Sequence, residues 1–299
     1  MARVVQERQT WKELLDKEGY VQLPVAHDAL TAKLIEKAGF PAYQIGGFSV
    51  DGANFGYPDI DLTRFGEKSR TVWRIIEATH LPVLVDVDDG YGDAKSVTRT
   101  IHQYEAMGVE AIFMEDQRPP KRCGHMAGKV VIPQDHMVDK IRAACAAREN
   151  EEALFILART DAIQPEGVDK AIKRAEAYLK AGADGVYLEG PTSEKELEKI
   201  GKEFKGTPLA TSILERGGAT PWVEPKALYK MGFSMILYPA TVLFRVTRAI
   251  QEGLKDLQKW KQLTSDNSVD MDEFEQIVDI ENWRQIEKKY HGGPESGEG

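Results

Sequence analysis

The sequence predicts a TIM-type (β/α)8 barrel, on three observations. Eight short apolar runs recur along the chain, each followed by a helical or loop-plus-helix segment. Most of these runs are continuous rather than alternating, as expected of parallel strands covered on both faces. Four predicted helix ends carry the same punctuation, a glycine with an aliphatic or aromatic residue close behind, at Gly39, Gly108, Gly182 and Gly232. Glycine there supplies the left-handed cap that turns a helix into the next strand.

The strand runs fall at 21–26, 42–46, 82–87, 109–114, 153–158, 185–188, 208–211 and 234–237. Helical spacing follows at 29–37, 96–107, 168–180, 193–203 and 242–257. An open doubly wound sheet is the alternative for such a series. With 299 residues and 42% hydrophobic content, the chain fits one α/β barrel or two small domains. No Ser/Pro-rich linker interrupts the series, so we read 1–260 as one barrel domain that includes an N-terminal helix. Beyond the polar stretch 265–270, Phe274, Ile277, Val278, Trp283 and Ile286 recur near helical spacing. They define a helical extension over 261–291, and 292–299, with almost nothing to bury, is expected to be disordered.

A net charge of −9 and a pI near 5.3 argue against a nucleic-acid or anionic-membrane partner, which needs a basic stripe. No apolar run approaches membrane-spanning length, and the amino terminus lacks a signal-peptide core. Two cysteines in different settings, Cys123 and Cys145, fit a reducing, cytoplasmic compartment, with Cys145 a filler on a helix.

In a parallel barrel the catalytic groups gather at the carboxyl ends of the strands, so the polar residues closing each apolar run belong together. These are Tyr43, Gly46 and Gly47; Asp86, Asp88 and Asp89; Glu115 and Asp116; Arg159, Thr160 and Asp161; Glu189; Thr211 and Ser212; and Tyr238 and Pro239. Asp86 and Asp88, two apart on a strand, are expected on one face, with Glu115 on the neighbouring strand. Three carboxylates without cysteine or histidine suit a hard cation that keeps several waters, Mg2+ most simply, with Mn2+ as a substitute. The plainer reading is a set of helix caps and ion pairs.

Arg159 can grip a carboxylate or phosphate through two parallel hydrogen bonds, or pair structurally with Asp161 or Glu189. Gly46 and Gly47 are expected to present backbone amides to an anion. Cys123 lies between Lys121-Arg122 and His125 in a loop marked by Pro119, Pro120, Gly124 and Gly128. Such a positive field is expected to stabilise the thiolate and make the thiol a proton-transfer group; the bland alternative is a buried small hydrophobe. The loop 118–133, with glycines inside it, is expected to close over a ligand as a lid.

Asp86-Val87-Asp88-Asp89-Gly90-Tyr91-Gly92, Glu115-Asp116-Gln117, Lys121-Arg122-Cys123-Gly124-His125 and Ala158-Arg159-Thr160-Asp161 resemble the successive motifs of the isocitrate lyase and phosphoenolpyruvate mutase superfamily. The resemblance spans about 14–259 and is strongest to the short lyases, the 2-methylisocitrate and 2,3-dimethylmalate lyases. It implies an Mg2+-dependent barrel that cleaves a carbon–carbon bond in a 2-hydroxy di- or tricarboxylate, giving a 2-oxo acid and a carboxylic acid through an enolate. Asp86, Asp88 and Glu115 would hold the metal, largely through water, and Arg159 the oxo-acid portion. Cys123 would protonate the carbanion, with Lys121, Arg122, His125 and Glu189 acting around it. Tyr43, Gly46, Gly47, Asp88, Gly124 and Ser212 would contact substrate. The resemblance also implies a homotetramer, a dimer of dimers whose final helices are exchanged between subunits.

Three departures bear on the substrate: Ile45 where serine is frequent, Asp89 where a neutral residue is common, and Ser212 in place of asparagine. They leave hydrolysis or decarboxylation of oxaloacetate, or phosphonopyruvate-type chemistry, as alternatives within the superfamily. A barrel that binds without turnover is the remaining reading.

Overall fold

The computed structural model describes residues 9–149, 152 and 154–291. Eight strands, β1 Val21–Pro24, β2 Tyr43–Ile45, β3 Val83–Asp86, β4 Ala111–Glu115, β5 Phe155–Thr160, β6 Gly185–Leu188, β7 Leu209–Ser212 and β8 Met235–Tyr238, form one parallel sheet in the order β1-β8-β7-β6-β5-β4-β3-β2. The two end strands meet through a Val25–Gln44 bridge and the Ala26 N–H, which donates to Gln44 O at 2.8 Å. That contact brings the ring round into the barrel. Each predicted run overlaps a strand, and β5 is displaced furthest. Its apolar run stops at Ala158, but pairing with β4 carries the strand on through Arg159, which sits opposite Glu115.

Side chains alternate across each strand, and this alternation builds the site. Val21, Leu23, Leu84, Ala111, Phe113, Phe155, Leu157, Tyr187, Met235 and Leu237 point inward and pack with Trp11, Leu14 and Leu15. Those last three belong to the helix Trp11–Glu18, which plugs the amino-terminal end of the barrel. A capping box between Thr10 and Glu13 starts this helix, and losing such a cap costs about 0.5–2 kcal/mol. The alternate set, including Val83, Val85, Ile112, Met114, Ile156, Val186, Leu188 and Ile236, faces outward and is covered by the surrounding helices. One step above the inward apolar layer come Gln44, Asp86, Glu115, Arg159, Glu189 and Ser212, all at or near strand ends.

Gly39, Gly108, Gly182 and Gly232 all have positive φ, between 79° and 119°, as their capping role requires. The chain divides into two compact units at Phe244 and Arg245. In the second, the helices Met271–Ile277 and Ile280–His291 follow the end of the helix Thr241–Gln258, and Asp270 and Glu273 form a capping box. Ile250, Leu254, Leu257 and Trp283 are exposed there. Among the described residues no helix is long and apolar enough to cross a membrane. The segment 292–299, read from sequence as disordered, lies outside the described residues.

Candidate active site

The strand ends converge on a chamber of about 40 Å3. Asp86, Arg159, Glu189 and Ser212 supply its polar wall; Phe48, Phe113, Leu237 and Pro239 supply an apolar one; Cys123, Gly124 and His125 close it from above. A larger groove of about 710 Å3 lies beside Gly19, Gly201 and Tyr229, but its charged residues, such as Lys202, Lys205 and Lys230, are all exposed. Arg159 and Glu189, by contrast, are buried side chains on the wall of the small chamber, which makes it the candidate chemical site.

Asp86 and Asp88 do come together, by a different route from strand alternation. β3 ends at Asp86, and Asp88 lies in the turn beyond it with φ +48°. The Asp88 N–H donates to Asp86 Oδ1 at 2.9 Å. Asp88 Oδ2 accepts from Lys68 at 2.6 Å, and Asp88 Oδ1 lies 2.7 Å from Lys121 Nζ. Burial works against ionisation of Asp88, but Lys121 and Lys68 outweigh it and hold its carboxyl below the usual range. Asp86 and Glu115 move the other way. Burial raises both, Asp88 adds to the rise at Asp86, and Asp161 adds to it at Glu115.

Glu115 Oε2 lies 3.2 Å from Arg159, while Glu115 Oε1 is buried with no hydrogen-bond partner. Among the described residues no three acidic, histidine or cysteine side chains close to direct coordination of one ion. A buried carboxylate oxygen without a donor, on one of two carboxyls that burial disfavours as anions, fits a hard cation held mainly through water. Asp86, Asp88 and Glu115 could hold it.

The loop 118–133 is seated on the barrel. Gln117 and Val131 pair across its neck, and Arg118 N–H donates to Val130 O at 2.7 Å. The Gln117 side chain braces the turn, bonding both Arg122 O and Arg122 N–H. Lys121 is buried between Asp59 and Asp88, and Cys123 N–H donates to Asp59 O at 3.0 Å. These contacts overturn the expected thiolate field. Lys121 is already neutralised by two carboxylates, and Arg122 is exposed and does not line the chamber. Burial, and after it Asp59, pushes the Cys123 thiol up to about 11. Cys123 therefore lines the chamber as a thiol rather than a thiolate.

Arg159 makes the structural pair expected with Asp161, Nε to Oδ2 at 2.9 Å and Nη2 to Oδ1 at 3.1 Å, and also borders the chamber. It lies over the rings of Tyr187 and Phe113, 5.3 and 5.7 Å from their centroids. Glu189 accepts from Tyr187 OH and from Ser212 Oγ, at 3.2 Å to its nearer oxygen. Burial opposes the charge on Glu189, but His125, Arg159 and Lys129 hold its carboxyl below the usual range. His125 Nε2 lies 3.6 Å from Glu189 Oε1 and 3.5 Å from Ser212 Oγ.

Several sequence-predicted residues lie elsewhere or act differently. Tyr43 faces outward into the core under the helices, because the inward position on β2 is Gln44, which lines the chamber. Ile45 shares that outward face, so its missing hydroxyl does not alter the chamber. Gly46 and Gly47 line the chamber, but the Gly47 N–H is committed to Asp86 Oδ2 at 2.9 Å. A Cβ at Gly47 would come within 3.1–3.2 Å of Asp86, Lys68 and Asp88, so a side chain there would press on their charged ends. Asp89 turns away to Lys140 at 3.4 Å and to Tyr91 N–H. Only Ser212 among the three departures borders the chamber.

Sequence reasoning missed Lys68, Asp59, Gln44 and Tyr187. Lys68 had a readable sign: it falls on the apolar face of the helix Phe65–Ile76, between Phe65 and Val72, where an unpaired cation cannot remain.

The Phosphoenolpyruvate phosphomutase family profile matches residues 11–258. A 2,3-dimethylmalate lyase of Eubacterium barkeri is 36% identical over 290 residues, covering 94% of this chain and 97% of that protein. A solved structure of 2,3-dimethylmalate lyase, described as a PEP mutase/isocitrate lyase superfamily member, superposes with a TM-score of 0.88 at 29% identity, covering 96% of each chain. A 2-methylisocitrate lyase of Bacillus subtilis (strain 168) is 35% identical over 266 residues, covering 85% of this chain and 86% of that protein. An oxaloacetate acetylhydrolase in complex with 3,3-difluorooxalacetate has a TM-score of 0.88 at 28% identity, covering 94% and 96%.

Proposed function

This chain belongs to the phosphoenolpyruvate mutase/isocitrate lyase superfamily, alongside named lyases, and on that premise we propose that it cleaves a carbon–carbon bond in a 2-hydroxy di- or tricarboxylate of the alkylmalate or 2-methylisocitrate type. The products are a 2-oxo acid and a carboxylic acid. One observation carries the reading: a buried cysteine that retains its proton faces the same chamber as Arg159 and Asp86. Cleavage needs an acid at that point. As the bond breaks, its electron pair passes to the carbon next to the departing carboxylate, and Cys123 delivers the proton that completes the carboxylic acid.

The hydroxyl proton must leave to a base, and Glu189, held ionised beside Tyr187 and Ser212, is our candidate. Arg159 and His125, which both line the chamber, would bind substrate carboxylates. Phe48, Phe113, Leu237 and Pro239 offer an apolar surface for an alkyl group. Mg2+, held by Asp86, Asp88 and Glu115 through water, would supply charge stabilisation for the developing oxyanion. With Cys123, Gly124 and His125 over the chamber, substrate would enter with the loop 118–133 displaced. We propose also that the protein is a homo-oligomer, and the exposed Ile250, Leu254 and Leu257 support this.

A second reading, hydrolysis of oxaloacetate, is favoured by the likeness to oxaloacetate acetylhydrolase. A 2-oxo acid release assay with Mg2+ separates the two, with 2-methylisocitrate, isocitrate, 2,3-dimethylmalate, oxaloacetate and phosphonopyruvate tested side by side. Pyruvate or glyoxylate from a hydroxy acid, lost in Cys123→Ser, supports the lyase. Acetate plus oxalate from oxaloacetate alone would replace it with the hydrolase.

A further inference from the structure

We propose that Lys129 is a positioning residue: it latches the closed lid and, through Asp161, frees part of Arg159 for substrate. The proposal rests on the reading of 118–133 as a lid over the chamber. Lys129 lies in the returning arm of that loop, yet its side chain is 1% exposed. Its ammonium donates to Gly124 O at 2.5 Å and to Asp161 Oδ1 at 3.0 Å. The first acceptor is on the lid beside Cys123, and the second is on the barrel.

Asp161 is a fixed anchor. Its N–H donates to Asp116 Oδ1 at 2.9 Å, and Asp116 is itself held by Thr160, Tyr178 and Arg174. Lys129 therefore joins the mobile arm to an immobile carboxylate. Its N–H also reaches Gln164 Oε1 at 3.4 Å. Lifting the lid must break the ammonium contacts with Asp161, because nothing else in the loop reaches that carboxylate among the contacts described.

The coupling follows from sharing. Asp161 Oδ1 accepts from both Lys129 and Arg159 Nη2, whereas Oδ2 accepts from Arg159 Nε. With Lys129 withdrawn, both oxygens belong to Arg159, and its guanidinium is drawn toward Asp161. With Lys129 seated, Oδ1 is partly satisfied, and Nη2 can also serve Glu115, 3.2 Å away, and the chamber. Gly124 lies so close to Arg159 that a Cβ there would be 2.5 Å from Nη2. Closure and the grip of Arg159 thus share one carboxylate.

The test is hydrogen–deuterium exchange by mass spectrometry on the ligand-free, full-length protein, with peptide-resolved labelling of Cys123 by N-ethylmaleimide. Losing a hydrogen bond to a charged group changes a local opening equilibrium by about 10- to 100-fold. Lys129→Met is expected to speed exchange of peptides covering 118–133, and labelling of Cys123, by about that factor, with the barrel strands unchanged. Lys129→Arg should restore most of the protection. Wild-type exchange and labelling in Lys129→Met would overturn the latch. If Lys129→Met exchanges fast throughout and so does not fold, Lys129→Gln, a donor without charge, carries the same two outcomes. Both readouts need no substrate, so failure of the lyase assay leaves this test intact. Where turnover is measured, Lys129→Met should lower kcat/KM and Lys129→Arg should recover it.

Discussion

Asp88 and Asp89 are neighbours in the chain and serve opposite sides of the barrel wall: Asp88 Oδ2 accepts from Lys68 at 2.6 Å inside the site, while Asp89 Oδ2 faces Lys140 at 3.4 Å among the outer helices. The left-handed turn at Asp88, φ +48°, separates them. Asp89→Asn should therefore keep turnover within a few-fold of wild type and cost about 1–3 kcal/mol of stability, because Lys140 loses a buried partner. Asp88→Asn should abolish turnover. Steady-state kinetics and urea unfolding on both variants check this, and loss of turnover in Asp89→Asn without loss of stability would place it in the site.

The Cys123 thiol, raised to about 11 by burial and Asp59, fixes the sign of a pH effect. The proposed cleavage would use the protonated form, so its rate should show no fall assignable to Cys123 below about pH 10, and should decline as the thiol ionises above that. Condensation needs the thiolate and should gain with pH over the same range. Cys123→Ser should lose about 10²- to 10⁴-fold in turnover without a change in melting temperature. Thiolate absorbance, wild type minus Cys123→Ser, reads the titration directly; a midpoint near 7 would contradict the closed-site geometry.

Much of this site is written in strand alternation. Asp86, Glu115, Arg159, Glu189 and Ser212 each follow an inward apolar position, so a period-2 reading and the rule that barrel chemistry sits at carboxyl ends find them. The same alternation assigns Gln44 inward and Tyr43 outward, so the register of β2 is legible in the sequence even though Tyr43 carries the hydroxyl. Loops have no period, so nothing in Lys121-Arg122 says which cation turns in to Asp59 and which stays in water. The thiol environment was illegible for the same reason. Charge counted along a loop does not give the field at Sγ, because Asp59 comes from a distant segment.

Glu115 Oε1, buried and without a donor, predicts how the fold responds to a cation. Mg2+ at about 100 times its dissociation constant should stabilise the protein by about 2.7 kcal/mol, reversed by EDTA. Asp86→Asn and Glu115→Gln should lose that gain while folding in metal-free buffer. Thermal melts with and without Mg2+ measure it. Equal shifts in wild type and both variants would mean that the cation acts elsewhere.

Gly124 is the lid residue with no room for substitution. A Cβ there would lie 2.5 Å from Arg159 Nη2 and 2.7 and 2.9 Å from carbons of the Glu189 side chain. Arg159 is held by Asp161 and Glu189 by Tyr187, so neither can yield without breaking a buried bond. In Gly124→Ala the lid should instead stop short, leaving Cys123 misplaced for proton delivery. Because a displacement of about 1 Å can cost 10²-fold, turnover should fall by about that much or more. The barrel strands do not depend on the lid for their pairing, so the melting temperature should hold. Cys123 labelling by N-ethylmaleimide separates this from a folding defect: faster labelling with unchanged melting is the expected pair. Wild-type turnover in Gly124→Ala would mean that catalysis does not need the closed lid seen here.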